Sequence, residues 1–274
     1  MKDIATIILN RNLPKATDNL YDHLIMYDGT DTDVYILEAG SDKNKLSKNY
    51  TWYANTNEIM EKGLRYSRGM NFSLLQLWKE KKWKKYNYFF LITNDTELSK
   101  KSTLVSMKKI LEKHPRVGIL SPCSLKWGEK KLLQKESIKY FWFIHSGALL
   151  LRRAFLENIM EIDNPNYYNF VFDGSNFRGY HSESELIAKA YANNWAAAIT
   201  SDVFAEENET HLLNKSDLIR TESYNDNLKL YISEGESWLR RKYGFNSRWS
   251  MQQYVKSFYD LFFEYYPEYK KFKI

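Results

Sequence analysis

Short apolar runs alternate with stretches of helical spacing along the first two thirds of this chain, and that alternation constrains its fold class more than any single residue does. Ile4–Leu9, Val34–Leu37, Tyr88–Thr93 and Val117–Leu120 are too short for an ordinary helix and rich in β-branched and aromatic residues, so each reads as a buried strand. Between them Met70, Leu74, Leu77 and Trp78, and later Leu104, Met107 and Leu111, recur at helical spacing, and Pro115 closes the second of these helices just before Val117. Strands separated by helices favour a parallel sheet, because a parallel neighbour needs a long crossover. A second set follows, with Ser146–Leu151 and Ala196–Thr200 as strands and Ala154–Met160 and Glu185–Tyr191 as helices. From about Asn208 the strand pattern stops, and Met251, Val255, Phe258 and Phe262 mark one face of an amphipathic helix. The expectation is an α/β chain. A Rossmann-like, mostly parallel sheet flanked by helices would occupy residues 1–210, with a helical, aromatic-rich segment over 211–274 packed on it.

The 274 residues suffice for a real core, and 43% hydrophobic with 16% aromatic content excludes the disordered and low-complexity classes. The one cysteine, Cys123, can build neither an intrachain disulfide nor a thiolate zinc site, so a reducing compartment, the cytoplasm, is expected. No apolar run approaches the roughly 20 residues of a membrane span. Any membrane contact is therefore expected to be peripheral, at the inner face. The net charge of +6, from 40 Lys and Arg against 34 Asp and Glu, favours anionic partners without naming one. Lys79, Lys81, Lys82, Lys84 and Lys85 surround Trp83 in the basic and aromatic interleaving of a nucleic-acid surface. They also follow a helical pattern, and cations complement a helix C-terminus, so the run is read as a solvated helix end and no nucleic-acid partner is expected.

In an open parallel sheet ligands bind beyond the carboxyl ends of the strands. Those positions are polar here: Asn10, Arg11 and Asn12 after the first strand, Glu38 to Asp42 after the second, and Asn94, Asp95, Thr96 and Glu97 after the third. There is no Gly-x-Gly-x-x-Gly, Walker lysine loop, Gly-x-Ser-x-Gly elbow or His-Glu-x-x-His, so the common dehydrogenase, kinase, hydrolase and metalloprotease readings lack their motifs. His145-Ser146-Gly147 opens a strand instead of forming a nucleophile elbow. His23, His114 and His181 read as non-catalytic.

Seven segments, in order over residues 4 to 210, resemble the family 2 nucleotide-sugar glycosyltransferases of the GT-A fold, particularly the bacterial rhamnosyltransferase-like members. They are Ile7-Ile8-Leu9-Asn10-Arg11-Asn12; Tyr35-Ile36-Leu37-Glu38-Ala39-Gly40-Ser41; Arg68-Gly69-Met70-Asn71; Phe89 to Leu98, which contains Asn94-Asp95-Thr96-Glu97; Val117 to Pro122; Ser146-Gly147-Ala148-Leu149-Leu150-Leu151-Arg152-Arg153; and Ser182-Glu183-Ser184-Glu185-Leu186 followed by Lys189. The resemblance implies an inverting transfer of a sugar from a nucleotide diphosphate donor to a glycan or lipid-linked acceptor, in surface polysaccharide assembly. It implies donor contacts from Asn10, Asn12, Glu38, Arg68, Asn71, Asn94 and Asp95, and an acceptor side lined by Ser146, Gly147 and Ala148. It places the general base at Glu183, with Glu185 the alternative two residues on. Mn²⁺ or Mg²⁺ would sit on Asp95, with His211 a candidate late ligand. The chain departs from the family pattern at Thr93, where a first carboxylate is expected, at Ala39 for Asn, and at Glu183 for Asp. These departures motivate an alternative, a catalytically inactive relative that binds a glycan or nucleotide sugar. A nucleotidyltransferase would want a Gly-rich basic loop that Asn10 to Lys15 does not supply. The basic, aromatic segment after Lys229 is expected either to complete the core or to meet an acceptor, a membrane interface or a second subunit of a homodimer.

Overall fold

The computed structural model describes residues 2–126, 129–133, 137–144, 147–208 and 224–274. Among them β1 (Ile4–Asn10), β2 (Thr32–Ala39), β3 (Trp52–Ala54), β4 (Tyr88–Thr93), β5 (Thr96–Leu98), β6 (Val117–Cys123), β7 (Ile138–Tyr140), β8 (Ala148–Arg152) and β9 (Ala196–Glu207) form one nine-stranded sheet. Its order is β3-β2-β1-β4-β8-β6-β9-β5, with β7 also on β9. The pairs β1·β2, β1·β4, β2·β3 and β6·β9 are parallel, so β1, β2, β3, β4, β6 and β9 share one direction. The sheet is mostly parallel, as the alternating pattern predicts. Three strands run the other way, β5 and β7 on β9 and one at the centre. The apolar run expected as a strand over 146–151 enters as β8, antiparallel between β4 and β6. A fully apolar strand buries either face equally well, so nothing in the run itself encodes its direction.

The helices are α1 (Pro14–Asp28), α2 (Asn57–Lys62), α3 (Arg65–Lys79), α4 (Leu104–Lys113), α5 (Glu129–Leu133), α6 (Arg153–Ile159), α7 (Ser182–Ala192), α8 (Tyr224–Tyr243) and α9 (Arg248–Tyr265). Pro14 opens α1, where a missing N–H costs nothing. Fully buried Asp28, at the other end of α1, accepts from Thr103 N (3.2 Å), Leu104 N (3.0 Å) and Ser102 Oγ (2.6 Å). A distant carboxylate thus caps α4, whose own first residues supply no side-chain cap.

The long strand β9 sets the geometry of one rim. Its register against β6 shifts between Pro122 and Cys123, where the proline cannot donate to the ladder. Beyond that irregularity β9 continues and pairs with β5, Thr96 opposite Glu207 and Glu97 opposite Glu206. The expected strand over 196–200 is therefore longer than its apolar part.

One hydrophobic cluster joins the sheet to α3, α4, α7 and the C-terminal helices, which contribute Trp238, Leu239, Met251, Val255, Tyr259, Phe262 and Phe263. Phe258, expected on the inner face of α9, is only partly buried, and Tyr259 takes the inner position. The Tyr259 hydroxyl bridges Tyr140 O and the backbone of Ile274, which gives its polar tip partners inside the core. Trp83 is likewise a core residue, 2% exposed, its indole N–H donating to Glu157. The lysines around it stand at the surface, Lys85 on Asp33 and Lys82 on Glu80. Among the described residues no helix is long and apolar enough to cross a membrane.

Candidate active site

The ends of β1, β2 and β4 converge, but not all of their polar side chains face outward. Glu38 is fully buried and its carboxylate is filled: Asn10 Nδ2 donates to both oxygens at 2.9 Å, Ser47 N to Oε1 at 2.7 Å and Ser41 Oγ to Oε2 at 2.5 Å. Asn10 Oδ1 in turn accepts from Asn94 Nδ2 at 2.8 Å and from Leu13 N at 3.2 Å, and Asn94 also donates to Thr17 Oγ1. Asn12, at φ 58°, accepts from Asp42 N at 2.8 Å. The resemblance makes donor contacts of Glu38, Asn10 and Asn94. In the structure these side chains lock the three strand ends and the 41–47 turn together beneath the rim. Breaking a filled, buried carboxylate network is costly, so the rim is rigid before any ligand arrives.

Asp95 differs from these neighbours. Its Oδ1 is buried and has no hydrogen-bond partner, while its carbonyl accepts from Asn208 N at 2.8 Å. A buried carboxylate oxygen left unpaired is uncompensated for its desolvation, and a bound cation is one group that would satisfy it. The Thr93 hydroxyl, in the place of an expected first carboxylate, is within 2.9 Å of the Thr96 hydroxyl. Gly147 closes this corner: a Cβ on it would lie 3.1 Å from Glu207 Oε1 and 3.3 Å from Thr96 Oγ1, so only the bare backbone passes comfortably. Its carbonyl accepts from Thr93 N, and Ala148 pairs with Ile92 in the sheet. Glu206 is engaged by Ser124 Oγ at 3.0 Å and Leu125 N at 2.5 Å. Among the described residues no group of three His, Cys, Asp or Glu side chains gathers to hold a cation. Asp95 therefore fits a divalent ion as a single protein ligand, the remaining oxygens coming from a bound diphosphate and water. His211 and Ser146 lie outside the described residues.

The two candidate bases have different surroundings, and the helix start explains why. α7 begins at Ser182, three residues earlier than its apolar pattern suggests, with His181 before it at φ 58°. Both glutamates consequently fall in its first turn, and 3.6-residue periodicity turns them to different sides. The Glu183 side chain is 18% exposed, and burial pushes its carboxyl up to about 7, against a smaller lowering by its own backbone N–H. His181 Nδ1 stands 4.0 Å from Glu183 Oε1. Burial, aided by the Arg248 charge, takes that imidazole down to about 4, so it is neutral near pH 7 and supplies no counter-charge. The phenols of Tyr66 and Tyr231 are both pushed up by burial and then by Glu183 and, more weakly, Glu207. Glu183 and the β5–β9 corner beside Asp95 thus share one electrostatic environment.

Glu185 is committed elsewhere. It accepts from Lys242 Nζ at 2.6 Å and from Tyr243 Oη at 2.8 Å, and Lys242 also meets Asp173 Oδ2 at 2.6 Å. Trp238 Nε1 donates to the same Asp173 oxygen at 3.0 Å. Burial alone would raise the Asp173 carboxyl, but Lys242, Ser175 and Trp238 outweigh it and hold it well below the usual carboxylate range. The clamp ties α7, the 160–181 segment and α8 together. Lys242→Ala should destabilise the fold by about 1–3 kcal/mol, less than a fully buried pair because a third of the lysine faces solvent. Denaturant titration checks this, and an unchanged midpoint would show the clamp to be idle. No motif pointed to Lys242 or Asp173; a basic last turn on α8 looks like ordinary dipole complementation.

Arg68 and Asn71 act on the same segment. Asn71, fully buried in α3, accepts from Val171 N (3.0 Å) and Phe172 N (2.9 Å) and donates to Phe172 O (2.8 Å) and Tyr167 O (3.2 Å). Arg68 donates to Gly174 O at 2.7 Å and lies 4.3 Å over Tyr168 and 4.6 Å over Phe177. The resemblance places both beside the nucleotide. In the structure the Asn71 amide organises the irregular stretch that delivers α7. The signal was ambiguous because a buried Asn next to a helix–sheet seam serves either purpose.

No family model and no curated protein sequence matches the chain. Solved structures do share its fold. A mannosyltransferase, PcManGT from Pyrobaculum calidifontis, in complex with GDP-Man and Mn²⁺, superposes at TM-score 0.56 with 12% identity, over 92% of this chain and 68% of that one. TarS 1-349 from S. aureus, in complex with UDP-GlcNAc, does so at TM-score 0.55 with 16% identity, over 96% and 73%. Glucosyl-3-phosphoglycerate synthase from Mycobacterium tuberculosis, in complex with Mn²⁺, UDP and glucosyl-3-phosphoglycerate, gives TM-score 0.52 with 13% identity, over 90% and 82%. The match spans only 44% of a longer TarS chain. At such identities the likeness concerns architecture: the fold is the GT-A fold of nucleotide-sugar glycosyltransferases.

Proposed function

We propose that this GT-A-fold chain is an inverting glycosyltransferase that moves a sugar from a nucleotide diphosphate donor to a hydroxyl of a glycan or lipid-linked acceptor. The observation that carries the reading is Glu183, a partly exposed carboxylate whose surroundings lift it to about 7 and which acts on Tyr66 and Tyr231 together with Glu207, the residue opposite Thr96, which follows Asp95 and its unpartnered oxygen. A carboxylate with an affinity for protons near the working pH is suited to general-base catalysis. In the reaction the acceptor oxygen forms a bond to the anomeric carbon, the bond from that carbon to the diphosphate oxygen breaks, and Glu183 takes the acceptor's proton. The nucleoside diphosphate leaves with the electron pair. Attack from the face opposite the leaving group inverts the anomeric centre. A divalent cation held by Asp95 would supply charge neutralisation for the diphosphate. The clamp of Lys242 on Glu185 and the hold of Asn71 on residues 171–172 keep the first turn of α7, and hence Glu183, in place. In this reading residues 1–210 are the catalytic domain and 211–274 an accessory segment, and the setting is surface polysaccharide assembly at the inner membrane face.

A second reading, a non-catalytic nucleotide-sugar binder, is favoured by Thr93 in place of a first metal carboxylate. Incubation with UDP-, dTDP- and GDP-sugars plus Mn²⁺ separates the two. Release of nucleoside diphosphate from at least one donor is expected. Donor binding without any turnover would establish the binder instead.

A further inference from the structure

Building on the reaction proposed above, we infer that the cavity between α8 and the start of α9 is a carbohydrate subsite that holds an uncharged sugar ring of the acceptor. The cavity measures about 370 Å³ and is bounded by Tyr180, Tyr231, Glu236, Ser247, Arg248 and Trp249 among others. That is within the range of small-molecule sites, on the order of 300–1,000 Å³. Trp249 is 65% exposed on a helix whose other large rings mostly pack inward, and the Arg248 guanidinium lies 4.8 Å over its indole. A pyranose has a C–H-rich face and a hydroxyl-rich edge. Tyr180, Tyr231 and Trp249, with Leu228 and Ile232, offer a largely apolar wall to the face, and Glu236, Ser247 and Arg248 offer polar groups to the edge. Glu236 and Arg248 carry opposite charges, so the wall as a whole favours a neutral ring over a phosphate.

Packed side chains stand between the cavity and the base. The Tyr231 and Tyr180 rings meet edge-on at 5.1 Å, the Tyr180 and His181 rings at 4.4 Å, and His181 Nδ1 is 4.0 Å from Glu183 Oε1. The wall is also built into the backbone of α8. Gly235 stands in the interior of that helix, where glycine weakens it. A Cβ there would fall 2.2 Å from the Cβ of Tyr180, so the glycine is what lets Tyr180 seat against the helix and form the cavity's inner side.

The test uses the full chain and ligand-observed NMR with methyl glycosides of glucose, galactose, N-acetylglucosamine and rhamnose, each titrated to about 100 mM, the range of weak single-ring binding. At least one glycoside should bind the wild type, and Trp249→Ala should weaken it by about tenfold or more. Trp249 is exposed and outside the base and donor positions, so the variant keeps its fold and its affinity for UDP or GDP. Absence of glycoside binding to the wild type, equal affinity in Trp249→Ala, or displacement of the glycoside by UDP and GDP would each overturn the subsite. Binding of UDP or GDP on the same sample reports on the donor reading separately: if it is absent while the Trp249-dependent glycoside signal persists, the reaction falls and the sugar site stands.

Discussion

Glu183→Gln should lower sugar transfer by on the order of 10² to 10⁴ while leaving nucleoside diphosphate binding intact, the loss expected for one general base. The amide keeps the shape of the side chain and removes only its ability to accept a proton. In the wild type, transfer should rise with pH and level off above about 7, as the Glu183 carboxyl, raised by burial, loses its proton. The variant's residual rate should lack that limb. Stability should move in the opposite sense. A carboxyl whose folded-state affinity for protons exceeds the unfolded one stabilises the fold at low pH, and that contribution is lost as pH rises from about 4.5 through about 7. Glu183→Gln should therefore melt higher than wild type at pH 8 and little differently at pH 4, which is the trade of stability for activity expected where a charge is held in a poorly solvating place. Normal turnover in this variant, with Glu185→Gln inactive instead, would move the base by two residues. The Lys242 and Tyr243 contacts to Glu185 make that outcome unexpected.

Asp95→Ala should abolish the Mn²⁺ dependence of donor binding. Calorimetry of UDP and GDP, with and without Mn²⁺, on wild type and variant gives four affinities. The wild type with the ion should bind more tightly by about tenfold or more than the other three, which should be alike, because only there does a cation join the diphosphate oxygens to a protein carboxylate. Four equal affinities would remove the cation from the chemistry and leave the surrounding residues alone to stabilise the leaving group. The expectation rests on the orphaned Oδ1 of Asp95, because no other acid at these strand ends combines burial with an unpaired oxygen: Glu38 is saturated by Asn10, Ser41 and Ser47, and Glu206 by Ser124 and Leu125.

By itself the amino-acid sequence determined the sheet. Runs such as Ile4–Leu9 and Tyr88–Thr93 carry enough apolar and β-branched side chains to be buried strands, and helical spacing between them favours the parallel pairing that β1, β2 and β4 adopt. It also determined which strand ends are polar, and the ordered motifs that resemble GT-A glycosyltransferases. Tertiary structure alone decided the rest. The direction of β8 depends on the free edges left by β4 and β6, which no local pattern reports. The roles of the polar residues depend on what reaches them across the chain. Asn71 and Glu38 have the residue types of ligand contacts, and partners at 167–172 and 41–47 engage their side chains. Glu183 and Glu185 are two residues apart and chemically alike, and one turn of α7 gives the first a poorly solvated, unpaired setting and the second a lysine. A side chain's chemistry is written in its residue type, but its proton affinity and its free valences belong to its neighbours, and these are assembled only when distant segments pack.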